Sequence, residues 1–221
     1  MAPDSIIFLH LQKTGGTSIR SIIKDNFGGT PKVRGSSGRE KDGTWKPLQG
    51  SQLDANAWHC HMSFGIHRLI PRPVPYFTIV RDPVAREISR FRHSTWERDR
   101  GATPVSSHLP EWGMVYQISG IPYNRLPDLT ELHIDLALKN MKDHFIYVGD
   151  TSRMDELGLW FRDELGWGLE LPLPHKNKAK PEVTVTEEEV EKLKELPGIK
   201  LDQIFYDRVC ELGPYPQKWM L

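Results

Sequence analysis

Three groups of residues have the types and spacing for chemistry on an anionic ligand. The first is Lys13-Thr14-Gly15-Gly16-Thr17-Ser18. Glycines let a phosphate approach backbone N–H groups, the hydroxyls of Thr14, Thr17 and Ser18 add donors, and Lys13 supplies a compact positive charge. The lysine precedes both glycines and no Gly-Lys-Ser/Thr occurs, so the cradle is not of the Walker A kind. The second group is Arg81-Asp82-Pro83 with Ser89. An arginine fork grips an anion through two parallel hydrogen bonds. Ser89 lies roughly 12 Å further along a helix axis. It shares an anion with Arg81 only if the chain bends back or the ligand spans the gap. Asp82 either holds the turn or pairs with the arginine. Taken together, the two turns imply two separate anionic groups on one ligand.

The third group is His59-Cys60-His61. In an extended segment both imidazoles fall on one face. A histidine titrating near neutrality is a suitable base for a hydroxyl proton. The pair also admits a metal-site reading and a purely structural one. No other close Cys, His or Asp cluster supplies further ligands in the sequence, so no metal is expected. His67, six residues on, is a rival base.

The elements that must position these groups are legible in part. Ser5-Ile6-Ile7-Phe8-Leu9 reads as a buried strand feeding the glycine turn, and Ile19, Ile22 and Ile23 give the following helix an apolar face. Tyr76 to Val80 is the clearest strand. It leads through Arg81-Asp82-Pro83 into a helix whose inner face should carry Val84, Ile88 and Phe91. Phe145 to Val148 is a third strand, followed by a helical stripe of Leu157, Trp160, Phe161 and Leu165. Residues 28 to 55, with six glycines, read as a long surface loop, and residues 172 to 183 as another. Thr186 and Glu189 have capping-box spacing, and a last helix runs from Leu201 to Leu212. Strand, turn and helix recur in the order of an α/β protein with a mainly parallel sheet and a helical C-terminal part. Residues 1–221 read as a single domain.

Composition bounds the partners. The 221 residues hold 29 Lys+Arg against 29 Asp+Glu, with nine histidines outside that balance. A neutral total argues against nucleic acid or a membrane surface as partner, yet it can hide a small positive cleft. No apolar run approaches the roughly 20 residues of a membrane helix, and the first residues lack the pattern of a signal peptide. Two cysteines, Cys60 and Cys210, are too few for a disulfide framework. One bridge between them stays open as an alternative; reduced thiols and a cytoplasmic location are the expectation.

With these residues in view, Leu11 to Ser18 resembles the 5′-phosphosulfate loop of the sulfotransferases. Ile79-Val80-Arg81-Asp82-Pro83 with Ser89 resembles their 3′-phosphate motif. The similarity is to the carbohydrate branch, the heparan sulfate 2-O- and 6-O-sulfotransferases and their bacterial relatives. Arg81 to Arg86 followed by Arg92-His93 and Gly101-Ala102-Thr103 is similar to the 6-O branch, and Trp58-His59-Cys60-His61 to the 2-O branch. The resemblance implies a P-loop-like three-layer fold related to nucleotide kinases, with 3′-phosphoadenosine 5′-phosphosulfate (PAPS) as donor. It implies a 5′ cradle of Thr14, Gly15, Gly16, Thr17 and Ser18, Lys13 near the bridging oxygen, and Arg81 and Ser89 on the 3′-phosphate. It puts the base in the histidine pair, taken as His61 with His59 in support. His67 stays a rival because the 6-O base follows Gly-Leu much as His67 follows Gly65-Ile66.

The implied acceptor is a hydroxyl-bearing molecule, a saccharide. It is expected near His61, under the 28–55 loop and the stretch from Arg92 to Thr103, with Arg92, His93, Trp96, Arg98 and Arg100 as contacts. Lys176, Lys178 and Lys180 are candidates for closing over the donor, against a default reading as a charged surface loop. Two other functions remain open at this point. One is a small ATP-dependent kinase, which would need magnesium and a Gly-Lys-Ser/Thr loop. The other is a non-catalytic nucleotide- or glycan-binding protein of the same fold.

Overall fold

The computed structural model describes residues 3–27, 32–33, 44–61, 63–93, 101–110, 113–122, 125, 128–173 and 184–212. Strands form where apolar residues run without interruption, as strands covered on both faces require. These are β1 (Ile6–Leu9), β4 (Tyr76–Val80) and β5 (Phe145–Asp150), all close to fully buried. Two further strands, β2 (Lys32–Val33) and β3 (Ala57–Cys60), complete a sheet of order β2-β3-β1-β4-β5 in which every pairing is parallel. The long loop expected over 28–55 therefore contains a short edge strand. Its brevity left no periodicity to read.

From β1 the chain passes to the β2–β3 side of the sheet, and from β3 it crosses to β4 on the other side of β1. The connections thus diverge beside β1, and a crevice opens at the carboxyl ends of the strands there. That crevice is where the glycine turn, the arginine turn and the end of the histidine strand meet.

Helices flank the sheet. α1 (Gly16–Phe27) buries Ile19, Ile22 and Ile23 as its spacing predicts. α2 (Pro83–His93) departs from expectation. Of Val84, Ile88 and Phe91 only Phe91 is fully buried, and the inner face carries Arg86, Glu87 and Arg90 instead. These charges lie inside because each is paired, as burial demands. Arg90 Nε donates to Glu87 at 2.8 Å, and Arg86 donates to Glu87 at 3.3 Å and to Asp202 at 3.1 Å. Burial alone pushes the Glu87 carboxyl up, but His108 (3.5 Å), Arg86 and Arg90 together hold it at about 2.

Among the described residues the remaining helices are α3 (Pro104–Ser107), α4 (Met114–Ser119), α5 (Leu132–His144), α6 (Met154–Asp163), α7 (Glu187–Lys194) and α8 (Pro197–Glu211). Asp202 of α8 also accepts the backbone N–H groups of Met114 and Val115 at 2.8 and 2.9 Å. One carboxylate thereby ties α8, the start of α4 and α2 together, which fixes the helix that follows Arg81. The capping box of Thr186 and Glu189 forms at the head of α7 as its spacing predicts. The apolar core runs from Ile6 and Trp58 through Phe77 to Phe161 and Val209.

Candidate active site

The first turn is held from within. The Thr14 hydroxyl, fully buried, donates to the Leu11 carbonyl at 2.6 Å. Thr14 thus shapes the loop, while Lys13, Gly15, Gly16, Thr17 and Ser18 line a cleft of about 540 Å³. Gly15 adopts φ +82°, which favours glycine, and Lys13 itself sits at φ +65°, a strained value for a residue with a side chain. α1 begins at Gly16, so the positive end of its dipole faces the same cleft.

The second turn is bolted to the first. Arg81 Nη1 donates to the Lys13 carbonyl at 3.0 Å, and the Thr78 hydroxyl donates to the Leu9 carbonyl at 2.7 Å. Asp82 holds the turn: its Oδ1 accepts the Ala85 N–H at 2.7 Å at the head of α2. Arg81 and Ser89 both line the cleft despite their separation along the chain. Burial lowers the pKa of Lys13 and the charge of Arg81 lowers it further. Burial lowers that of Arg81 too, against the opposing pull of Asp82 and Asp150. An anion entering between these two cations reverses part of that cost.

The histidines come together through sheet register. β1 and β3 pair Phe8 with His59 and Leu9 with Cys60, so one step further His10 lies beside His61. Side chains alternate along strands, which puts Phe8, His10, His59 and His61 on one face. The His10 ring stacks on Phe8 with centroids 5.1 Å apart. Its Nδ1 lies 2.8 Å from His59 Nε2 and 3.1 Å from His61 Nε2. His59 is buried; His10 and His61 reach the cleft. A Cβ on Gly16 would stand 1.9 Å from His10 Nε2. The second glycine of the turn therefore makes room for an imidazole as well as for a ligand. Sequence reasoning missed His10, which follows a strand and precedes the turn; only the pairing of β1 with β3 reveals it.

A second cleft of about 380 Å³ adjoins the first across Thr17, Gly16 and the histidines, with Arg20 and Lys24 of α1 on its wall. His93 lines the main cleft, and Arg92 lies half-buried in the last turn of α2. Trp96, Arg98, Arg100, Lys176, Lys178 and Lys180 lie outside the described residues.

His67 is elsewhere. It packs against the first residue of β4, with its Nδ1 2.9 Å and its backbone N–H 3.0 Å from the Tyr76 hydroxyl. Arg81 follows the last residue of that strand, so His67 and the cleft are separated by the strand's length, about 16 Å. Burial, helped by His144 and Arg68, pulls the His67 pKa down to about 4.

Comparison with known proteins returns one family. The model of the sulfotransferase family matches residues 2–152, which includes both turns and the histidine strand. Among curated relatives, heparan-sulfate 6-O-sulfotransferase 1 of Gallus gallus is 26% identical over 158 residues, covering 55% of this chain and 39% of the relative. Heparan-sulfate 6-O-sulfotransferase 2 of Homo sapiens is 29% identical over 154 residues, covering 57% and 26%. The chain thus spans less than two fifths of the length of either relative. Among the described residues no helix is long and apolar enough to cross a membrane. The cytoplasmic location expected from composition and thiols is nevertheless overturned by these matches. The relatives are heparan-sulfate enzymes, and this chain matches part of their length. With 151 of its 221 residues under the family model, the chain belongs to the sulfotransferase family.

Proposed function

We propose that the chain moves a sulfuryl group from PAPS to a hydroxyl of a carbohydrate acceptor. The observation that carries this reading is the convergence of Lys13, the Gly15–Ser18 turn, Arg81, Ser89 and His61 on one cleft. The residues suit a donor with two separated anionic groups. Backbone N–H groups at the start of α1, with Thr17 and Ser18, would hold the 5′ end, and Arg81 with Ser89 the 3′-phosphate. When bound, the donor supplies the sulfuryl group and a bisphosphate leaving group; the remaining tasks fall to the chain.

His61 Nε2 accepts the proton of the acceptor hydroxyl, and His59, reached through His10, orients the cluster. Lys13, poorly solvated and beside a second cation, stabilises negative charge that develops on the leaving oxygen. Fixed turns and a strand-borne base favour alignment, which dominates group transfers of this type. The names of the relatives support a saccharide acceptor. The arrangement gives no support to a kinase, whose Gly-Lys-Ser/Thr loop is missing from the sequence. Transfer of radiolabelled sulfate from PAPS to a panel of saccharides tests the reading. Label is expected on at least one saccharide, and binding of the donor with no transfer to any of them contradicts it.

A further inference from the structure

We propose that His10, His59 and His61 form a binding site for one exchangeable divalent transition ion of the zinc class, and that its occupancy blocks transfer. One nitrogen from each ring lies within 4.8 Å of the other two, and two of the three separations are 2.8 and 3.1 Å. Three nitrogens each about 2.0–2.1 Å from a tetrahedral zinc stand roughly 3.3 Å apart, so the two close pairs open by a few tenths of an ångström and the His59–His61 pair, within 4.8 Å, closes onto the same spacing when the ion enters.

A metal ion takes a lone pair from every ring, and each neutral imidazole has one to give. All three donors are imidazole nitrogens, a set that suits zinc, copper or nickel rather than magnesium or calcium. The rings are fixed by construction. Two project from β3 and its end, and the third is stacked on Phe8 and seated over Gly16.

Three protein ligands leave a coordination position open. His10 and His61 line both clefts, so the ion exchanges with solvent and an anion or water completes its sphere. Lys13, Arg20, Lys24 and Arg81 on the same walls oppose a divalent cation. They also attract that fourth, anionic ligand. The sequence expectation of no metal rested on a missing third ligand, and the fold supplies it in His10.

Binding stands on this geometry alone; the blocking of transfer rests on the function proposed above. Zinc on His61 Nε2 occupies the lone pair that would take the acceptor proton, so the two events exclude one another.

The test is titration of the untagged full chain with Co²⁺, read by the visible absorption of four-coordinate cobalt and by displacement with Zn²⁺. One equivalent is expected to saturate the signal. His10→Phe, His59→Phe and His61→Phe are each expected to weaken binding by more than about tenfold, the least that loss of even an outer partner costs. His67→Gln is expected to bind as wild type. Should a phenylalanine variant not fold, the Co²⁺-loaded wild type answers by NMR, with three hyperfine-shifted imidazole N–H signals expected. No absorption band, binding unchanged in the folded single variants, or fewer than three shifted signals overturns the site. In a transfer assay, Zn²⁺ is expected to stop turnover and a chelator to restore it. Spectroscopic binding beside undiminished transfer overturns the blocking and the role of His61 as base while leaving the ion site standing. Active transfer with no spectroscopic binding overturns the site and leaves the proposed function intact.

Discussion

Histidines gather at both ends of this parallel sheet, and their surroundings separate a reactive cluster from a structural one. At the carboxyl end His10, His59 and His61 lie ring against ring, open to two clefts walled by Lys13, Arg81, Arg20 and Lys24. At the amino end His67 and His144 pack 4.7 Å apart beside Phe64, Tyr76 and Phe145, and the His67 ring is spoken for by the Tyr76 hydroxyl. Burial lowers the pKa of both His67 and His144, as befits imidazoles kept neutral as packing groups. The residue type is the same. What differs is the end of the strands, where connections diverge at one edge and close at the other.

The largest effect should be the difference between removing one member of the first cluster and one of the second. His61→Ala is expected to lower single-turnover transfer by about 10²–10⁴-fold. Under the same assay His67→Ala should stay within about twofold of wild type, and equal losses would dissolve the contrast. Next in size is Lys13→Ala, expected to slow the same step by roughly 10²–10³-fold, the usual cost of losing a donor at a developing anion. An unchanged rate removes Lys13 from that role.

Gly16→Ala drives a methyl group into the His10 ring and should cost about 1–3 kcal/mol, read as a fall in the denaturation midpoint. A wild-type midpoint would mean that His10 is not seated there. Smallest is the pH dependence at the amino end. His67 titrates at about 4 in the fold against 6.5 unperturbed. Between those values the unfolded chain binds more protons, so this group's contribution is whole above pH 6.5 and is lost as pH falls to about 4. Denaturation followed across that window should show a shallower decline in His67→Gln than in wild type, and parallel curves would contradict the assignment.

The parts of the site encoded by neighbours in sequence were legible, and those made by pairing at a distance were not. The two turns announce themselves because glycine, lysine and arginine stand directly between an apolar run and a helical stripe. β3 is obscured because its strand carries His59 among apolar residues, and β2 because two residues have no period. α2 misleads for a different reason. Arg86, Glu87 and Arg90 look solvent-facing by type, and their burial rests on one another and on partners elsewhere in the chain, His108 on Glu87 and Asp202, more than a hundred residues away, on Arg86. His10 is hidden in the same way, since its partners lie 49 and 51 residues on and meet it through strand register.

The proposed function requires the donor to lie along the carboxyl edge of the sheet, from the first turn to the second. Amide hydrogen exchange with and without adenosine 3′,5′-bisphosphate tests it directly. Slowed exchange is expected in residues 13–19 and 81–89, with no change around His67 and His144. Protection at the amino end, or at neither turn, would contradict it.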